Sequence, residues 1–192
     1  MRALRLQARS LGFTAWLLLL PACARQKLPE IEFTLSAPAI KRNFAPAAAL
    51  AEYLELPNGG SELRITLSSY PLSCDSFRAP TAEEILVTVT IVTGAGTQLA
   101  ANTYPWSGHP RTGEPPQARS AEPIIRIGAR SWSLAPGGQV KLQEAFLDRE
   151  RMISGLLDFE FPGTVESGAS RLSGAFKAKL CQVERLKPGD PN

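Results

Sequence analysis

Apolar and polar residues alternate with a period of two through most of this chain, and that pattern leaves few folds open. Leu63, Ile65 and Leu67 point one way, and Arg64, Thr66 and Ser68 the other. Val140, Leu142 and Phe146 share a face broken only by Glu144. Ile153, Gly155, Leu157, Phe159 and Phe161 oppose Ser154, Leu156, Asp158 and Glu160. Leu172, Gly174, Phe176, Ala178 and Leu180 oppose Ser173, Ala175, Lys177, Lys179 and Cys181. In a strand, successive side chains leave opposite faces, so these segments read as half-buried strands of an antiparallel sheet.

Residues 85–92, ILVTVTIV, carry β-branched side chains on both faces and predict a central strand covered on both sides for part of its length. Residues 31–36 and 124–127 predict shorter strands of the same kind. Pro57-Asn58-Gly59-Gly60, Thr93-Gly94-Ala95-Gly96 and Leu147-Asp148-Arg149-Glu150 lie between such runs and read as hairpin connections. Residues 44–55 are mixed. Ala47, Ala48 and Ala49 allow a short helix to about Ala49, after which residues 50–56 pair with the next strand across the Asn-Gly turn. Residues 107–123, SGHPRTGEPPQARSAEP, have no apolar period and read as an exposed loop. Eight or nine short strands with few helices predict one all-β domain, an antiparallel β-sandwich or flattened barrel.

The amino terminus obeys different rules. Arg2, Arg5 and Arg9 occur with no acid among them, and residues 11–20 carry no charge. A basic segment followed by a short apolar one is the layout of a bacterial export signal. Ten helical residues cover about 15 Å, roughly half a hydrocarbon core, so the run does not suit a permanent span. It ends at Leu20-Pro21-Ala22-Cys23, which resembles the lipobox of bacterial lipoproteins: a leucine three positions before a cysteine, with a small residue between them. Pro21 departs from the usual small or hydroxyl residue of its slot. The resemblance implies diacylglycerol on the Cys23 sulfur, cleavage before Cys23 and acylation of the new amine. Ala24 after the cysteine, rather than Asp, implies the outer membrane. Ala22-Cys23-Ala24 also fits an ordinary cut before Arg25, which predicts a soluble periplasmic protein instead. The expected organisation is a signal peptide over 1–22, a lipid-attachment cysteine and short tether over 23–30, a β-domain over 31–187 and a tail over 188–192.

The chain has 21 basic and 18 acidic residues. The three leader arginines account for the excess, and from Cys23 onward each sign counts 18. A near-neutral domain without a basic block argues against nucleic acid as a partner. Cys74 and Cys181 remain after the leader, and in an exported protein an isolated pair predicts a disulfide, the alternative being two buried thiols. Leu67-Ser68-Ser69-Tyr70 leading to Cys74, and the closing run from Leu172 to Cys181, LSGAFKAKLC, are similar to segments of β-rich bacterial lipoproteins of about this size. That similarity implies a disulfide-closed β-domain and no particular activity.

Residues that could do chemistry are sparse. His109 is the one histidine, placed in the proline-rich loop, and no G-x-S-x-G elbow accompanies it. One histidine and two paired cysteines do not make a zinc site. Asp158 and Glu160 share a strand face, but the apolar residues that alternate with them already require exposed acids there. Gly94-Ala95-Gly96 and Gly137-Gly138 lack the helix and lysine of a phosphate loop. Tyr104, Trp106 and Trp132 form the candidate binding surface, an aromatic platform for a glycan or partner protein. The expectation is a non-enzymatic, lipid-anchored envelope domain without cofactor or metal, held to the membrane by its acyl chains and acting by binding or structural support. A carrier with an apolar cavity lined by Leu157, Phe159 and Phe176 is the alternative, and a hydrolase using Asp158 and Glu160 the third.

Overall fold

A computed structural model describes residues 30–36, 39–106, 119–133, 137–145, 152–161 and 170–185. The described residues form eleven strands and no helix. They are β1 (Ile31–Ser36), β2 (Ala39–Phe44), β3 (Ala48–Glu55), β4 (Ser61–Ser68), β5 (Ile85–Thr93), β6 (Thr103–Pro105), β7 (Arg119–Ile127), β8 (Arg130–Ser133), β9 (Gly138–Glu144), β10 (Met152–Phe161) and β11 (Ser170–Arg185). One continuous sheet runs β6-β9-β10-β11-β3-β4-β5-β7-β8, and the β1–β2 hairpin is attached to β11. The sheet curls into a half-barrel, within the expected all-β class of sandwich or flattened barrel, with more strands than the eight or nine predicted.

The sixteen-residue β11 organises this curl. One edge pairs antiparallel with β10, from Ser170 opposite Phe161 to Lys179 opposite Met152. The other edge is shared. β1 occupies it at Arg171–Gly174, and β3 occupies it from Lys179 to Arg185 in parallel. The parallel pair departs from the purely antiparallel sheet expected. The register shifts between Leu180 and Gln182, leaving Cys181 as an extra residue in a bulge.

Alternation does what the sequence requires. Leu63, Ile65, Val87, Val89, Ile125, Leu172 and Ala178 are each fully buried, and residues from nearly every strand join them in one core. Phe33 and Phe44 close its β1–β2 side edge to face, with ring centroids 6.3 Å apart. The polar groups at one end of the core are satisfied in a chain: the Tyr53 and Ser61 hydroxyls lie 3.0 Å apart, the Ser61 N–H donates to Thr93 Oγ1, and the Thr93 hydroxyl donates to the Thr97 carbonyl.

Several local expectations are corrected. The alanine-rich segment is strand, not helix: Ala48 begins β3, the Ala47 N–H donates to the Ser68 carbonyl, and Pro46 just before it is buried. Tertiary pairing overrides the alanines' helix propensity, since β3 is bonded on one side to β4 and on the other to β11. The Pro57–Gly60 turn is a hairpin as expected, closed by Leu56 and Gly60, with Gly59 at a φ of 78°. The turn at Thr93–Gly96 is not. The next strand, β6, pairs with β9 rather than returning to β5. Residues 119–123, expected in the loop, belong to β7, with Ala121 and Pro123 buried. Pro123 is tolerated because β8 pairs only with Ile124–Ile127 and leaves the rest of β7 with β5 as its partner.

Candidate functional site

The most elaborated surface feature is the connection over residues 69–84. Both of its ends are fixed: the Ser69 N–H donates to the Ile85 carbonyl and the Ile85 N–H donates to Ser69 Oγ, at 2.9 and 2.8 Å. A loop whose ends meet and whose interior is tied by its own side chains is an Ω-loop. Its far part is held by the disulfide between Cys74 and Cys181, whose Cα atoms are 5.1 Å apart. Cys74 stands in a tight turn closed by reciprocal hydrogen bonds between Ser73 and Ser76. Cys181 reaches it from the β11 bulge, on the face opposite the buried Leu180.

The loop therefore lies over the outer face of the sheet. Ser68 and Leu86, partners on β4 and β5, are 0 % and 1 % exposed although alternation turns them away from the core. The Ser68 hydroxyl donates to the Tyr70 carbonyl at 2.6 Å, and Tyr70 is itself buried. The burial of Leu86 agrees with the expectation that this strand is covered on both sides for part of its length, while the connection over residues 69–84 has no periodicity that would have named it as the cover.

The loop carries its own charge lock. Arg78 grips Glu84 with two guanidinium nitrogens, each 2.5 Å from a carboxylate oxygen, and lies 4.2 Å over the Tyr70 ring. Such a fork-to-fork pair is stronger and more directional than a single contact. The Tyr70 hydroxyl donates to the Arg78 carbonyl, while the N–H and hydroxyl of Thr81 donate to Glu84. Hydrogen bonding from Arg78 chiefly, then from the Thr81 backbone, lowers the Glu84 carboxyl to about 2. The same pairing raises the Arg78 guanidinium, and burial raises the Tyr70 phenol against the opposing charge of Arg78. One further bridge, Arg42 to Glu83 at 2.9 Å, ties the loop to β2. With its charges engaged, this cluster is built to hold a shape. At its edge Phe77 stands in solvent, 62 % exposed.

The predicted site residues fall differently. Cys23 and His109 lie outside the described residues. Cys74 and Cys181 are brought together as expected. Tyr104 is not part of an exposed platform. It is 1 % exposed, and its hydroxyl donates to the Ala100 carbonyl and accepts from the Ala100 N–H. Trp106 is partly buried against the core. Trp132 lies on β8 opposite Ile125, and its side chain is outside the described part. Asp158 and Glu160 are both exposed, and Asp158 pairs with Arg171 at 3.2 Å. Solvent exposure of both acids on an outer face is what the alternation of β10 requires. Leu157, Phe159 and Phe176, expected to line a carrier cavity, are at most 3 % exposed and belong to the common core. An open depression of about 240 Å³ lies elsewhere, lined by Glu52, Tyr53, Leu54, Glu62, Arg64 and Gln182. Its lining mixes polar and apolar surface, and Arg64 there is already engaged by Glu62 and Glu52.

The sequence signal for Phe77 was weak, because an apolar residue in an aperiodic Ser/Pro-rich loop reads equally well as a buried anchor. Comparison with protein-family models, curated proteins and solved structures finds no match to this chain.

Proposed function

We propose that this chain is an exported lipoprotein of the bacterial envelope, a β-domain that acts by binding or structural support and is confined to a membrane by acyl chains on Cys23. The observation that carries the reading is the cysteine placed directly after a short apolar run headed by arginines, with Leu20 and Ala22 in the expected positions. Two further features agree with it. The disulfide suits an oxidising compartment outside the cytoplasm. Only residues 24–30 separate Cys23 from the first core residue, Ile31, so the folded body stands close to its point of attachment.

Multiple acyl chains anchor stably, at about 0.8 kcal/mol for each buried methylene, whereas a single chain is only marginal. Confinement to a plane raises the effective concentration of the domain for membrane-bound partners, among which envelope proteins, glycans and apolar ligands remain the classes to screen. The test is metabolic labelling with a fatty acid in the native host, combined with detergent-phase partition. The wild-type chain incorporates label and enters the detergent phase; Cys23→Ser does neither. Equal partition of both chains into the aqueous phase defeats the reading.

A further inference from the structure

The two large hydrophobic side chains that are exposed among the described residues are Phe77 and Leu156. Leu156 flanks one strip of β11, and Phe77 stands three residues after Cys74, which is bonded to Cys181 at the end of that strip. Leu156 on β10 faces Ala175, Ser154 faces Lys177 and Met152 faces Lys179. All of these lie on the outer side, because Gly174, Phe176, Ala178 and Leu180 alternate with the β11 members toward the core. Lys177 and Lys179 are exposed and Met152 is half-buried. Two residues further on, Cys181 holds the loop that displays Phe77. From Ala175 to Cys181 the strip is about 20 Å long, at the usual rise of a strand.

The first described residue, Glu30, stands at this strip. β1 is antiparallel to β11, with Ile31 opposite Gly174 and Thr34 opposite Arg171. Read backward from Thr34 to Ile31, β1 therefore advances along β11 in the direction of Lys177, Lys179 and Cys181. Glu30 already lies against Gly174, where an added Cβ would meet its carbonyl oxygen at 2.7 Å. The seven residues 24–30 reach at most about 25 Å when extended, comparable to the length of the strip.

Resting on the lipoprotein reading above, we propose that the strip formed by Leu156, Lys177, Lys179 and the Phe77 loop is the face this domain lays on the lipid surface. Apolar side chains entering the headgroup boundary beside lysines whose stems lie along it form the pattern of an interfacial contact. Acids border the strip too: Asp158, paired with Arg171, follows Leu156 on the same outer face of β10, Glu144 accepts a hydrogen bond from Ser154, Glu30 stands beside Gly174, and Asp75 is in the Cys74 turn. The strip is thus not a basic patch that would find a membrane by charge alone. Its two apolar contacts act once the acyl chains have brought them there. The charge lock of Arg78, Glu84 and Tyr70 presents Phe77 from a pre-shaped loop, so little ordering is needed on contact.

The experiment uses the full-length lipidated protein in vesicles of phosphatidylethanolamine and phosphatidylglycerol with brominated chains. Phe77→Trp and Leu156→Trp report on the strip. Ser131→Trp reports on the exposed edge strand β8, five strands from β11 along the curled sheet. Emission from Trp106 and Trp132 is subtracted using the unsubstituted protein. A free-thiol assay confirms that each variant keeps its disulfide, and flotation reads the anchor independently. The expected result is blue-shifted emission at 77 and 156, quenched several-fold more than at 131. Equal quenching at all three sites in protein that floats overturns the proposal and leaves the anchor standing. Protein that does not float overturns both. An unquenched Trp at 77 that shifts only when unsubstituted protein is added assigns the face to a second copy of the chain, and also overturns it.

Discussion

Cys74 and Cys181 stand 107 positions apart in sequence and 5.1 Å apart at their Cα atoms. The bond joins a surface loop to the one strand that pairs with β10, β1 and β3, so it staples the cover of the outer face to the centre of the sheet. Closing a loop of this length is worth on the order of 4–5 kcal/mol in the chain-entropy model. Urea unfolding with and without reductant is expected to differ by about 3–5 kcal/mol, with Cys74→Ser matching the reduced wild type. Identical midpoints for the oxidised and reduced protein would remove the staple from the account.

Glu84 gives the loop a dependence on acid. Its carboxyl titrates at about 2 in the folded chain, against an ordinary value of 4.5. A carboxyl lowered by folding contributes stability that is fully present above its unfolded pKa and is lost as pH falls through its folded one. The contribution therefore fades between about pH 4.5 and pH 2. Carboxyl resonances followed by NMR are expected to show a midpoint near 2 for Glu84, moving up toward the usual range in Arg78→Ala. In Glu84→Gln, acid unfolding loses the slope that this group supplies.

Tyr104 was read from the sequence as a recognition residue and is an anchor instead. Its hydroxyl bonds both the N–H and the carbonyl of Ala100, at 3.0 and 2.8 Å. Removing one hydroxyl from such a pair costs about 0.5–1.5 kcal/mol. Tyr104→Phe is accordingly expected to lower stability by that amount in chemical denaturation, and to leave binding to any glycan or protein partner found for this domain unchanged.

Neighbouring positions on β10 separate core from surface. Phe159 is fully buried, and Phe159→Ala is expected to cost about 3–5 kcal/mol, the loss of transfer energy plus a cavity. Leu156 is 40 % exposed, and Leu156→Ser should fall within about 0.5 kcal/mol of the wild type. Comparable losses from both would mean that the register of β10 is wrong.

How much of this could be read from the sequence follows from what makes each part fold. β4, β5, β10 and β11 announce themselves because one face of each must be apolar at every second position. β6 and β8, of three and four residues, are too short for a period to show, and β2 places Lys41 and Arg42 where an edge strand meets water. The parallel pairing of β3 with β11 depends on chain closure rather than on either segment's own pattern. Cysteine arithmetic found the disulfide. The lock of Arg78, Glu84 and Tyr70, and the exposure of Phe77, arise from how an aperiodic loop lies over the sheet, and no spacing encodes that.

The lipid on Cys23 is the claim on which the functional reading rests, and intact mass spectrometry of the chain purified from its native membrane tests it most directly. The account predicts a polypeptide beginning at Cys23 that carries diacylglycerol on sulfur and an acyl group on the amine. An unmodified polypeptide beginning at Arg25 contradicts it.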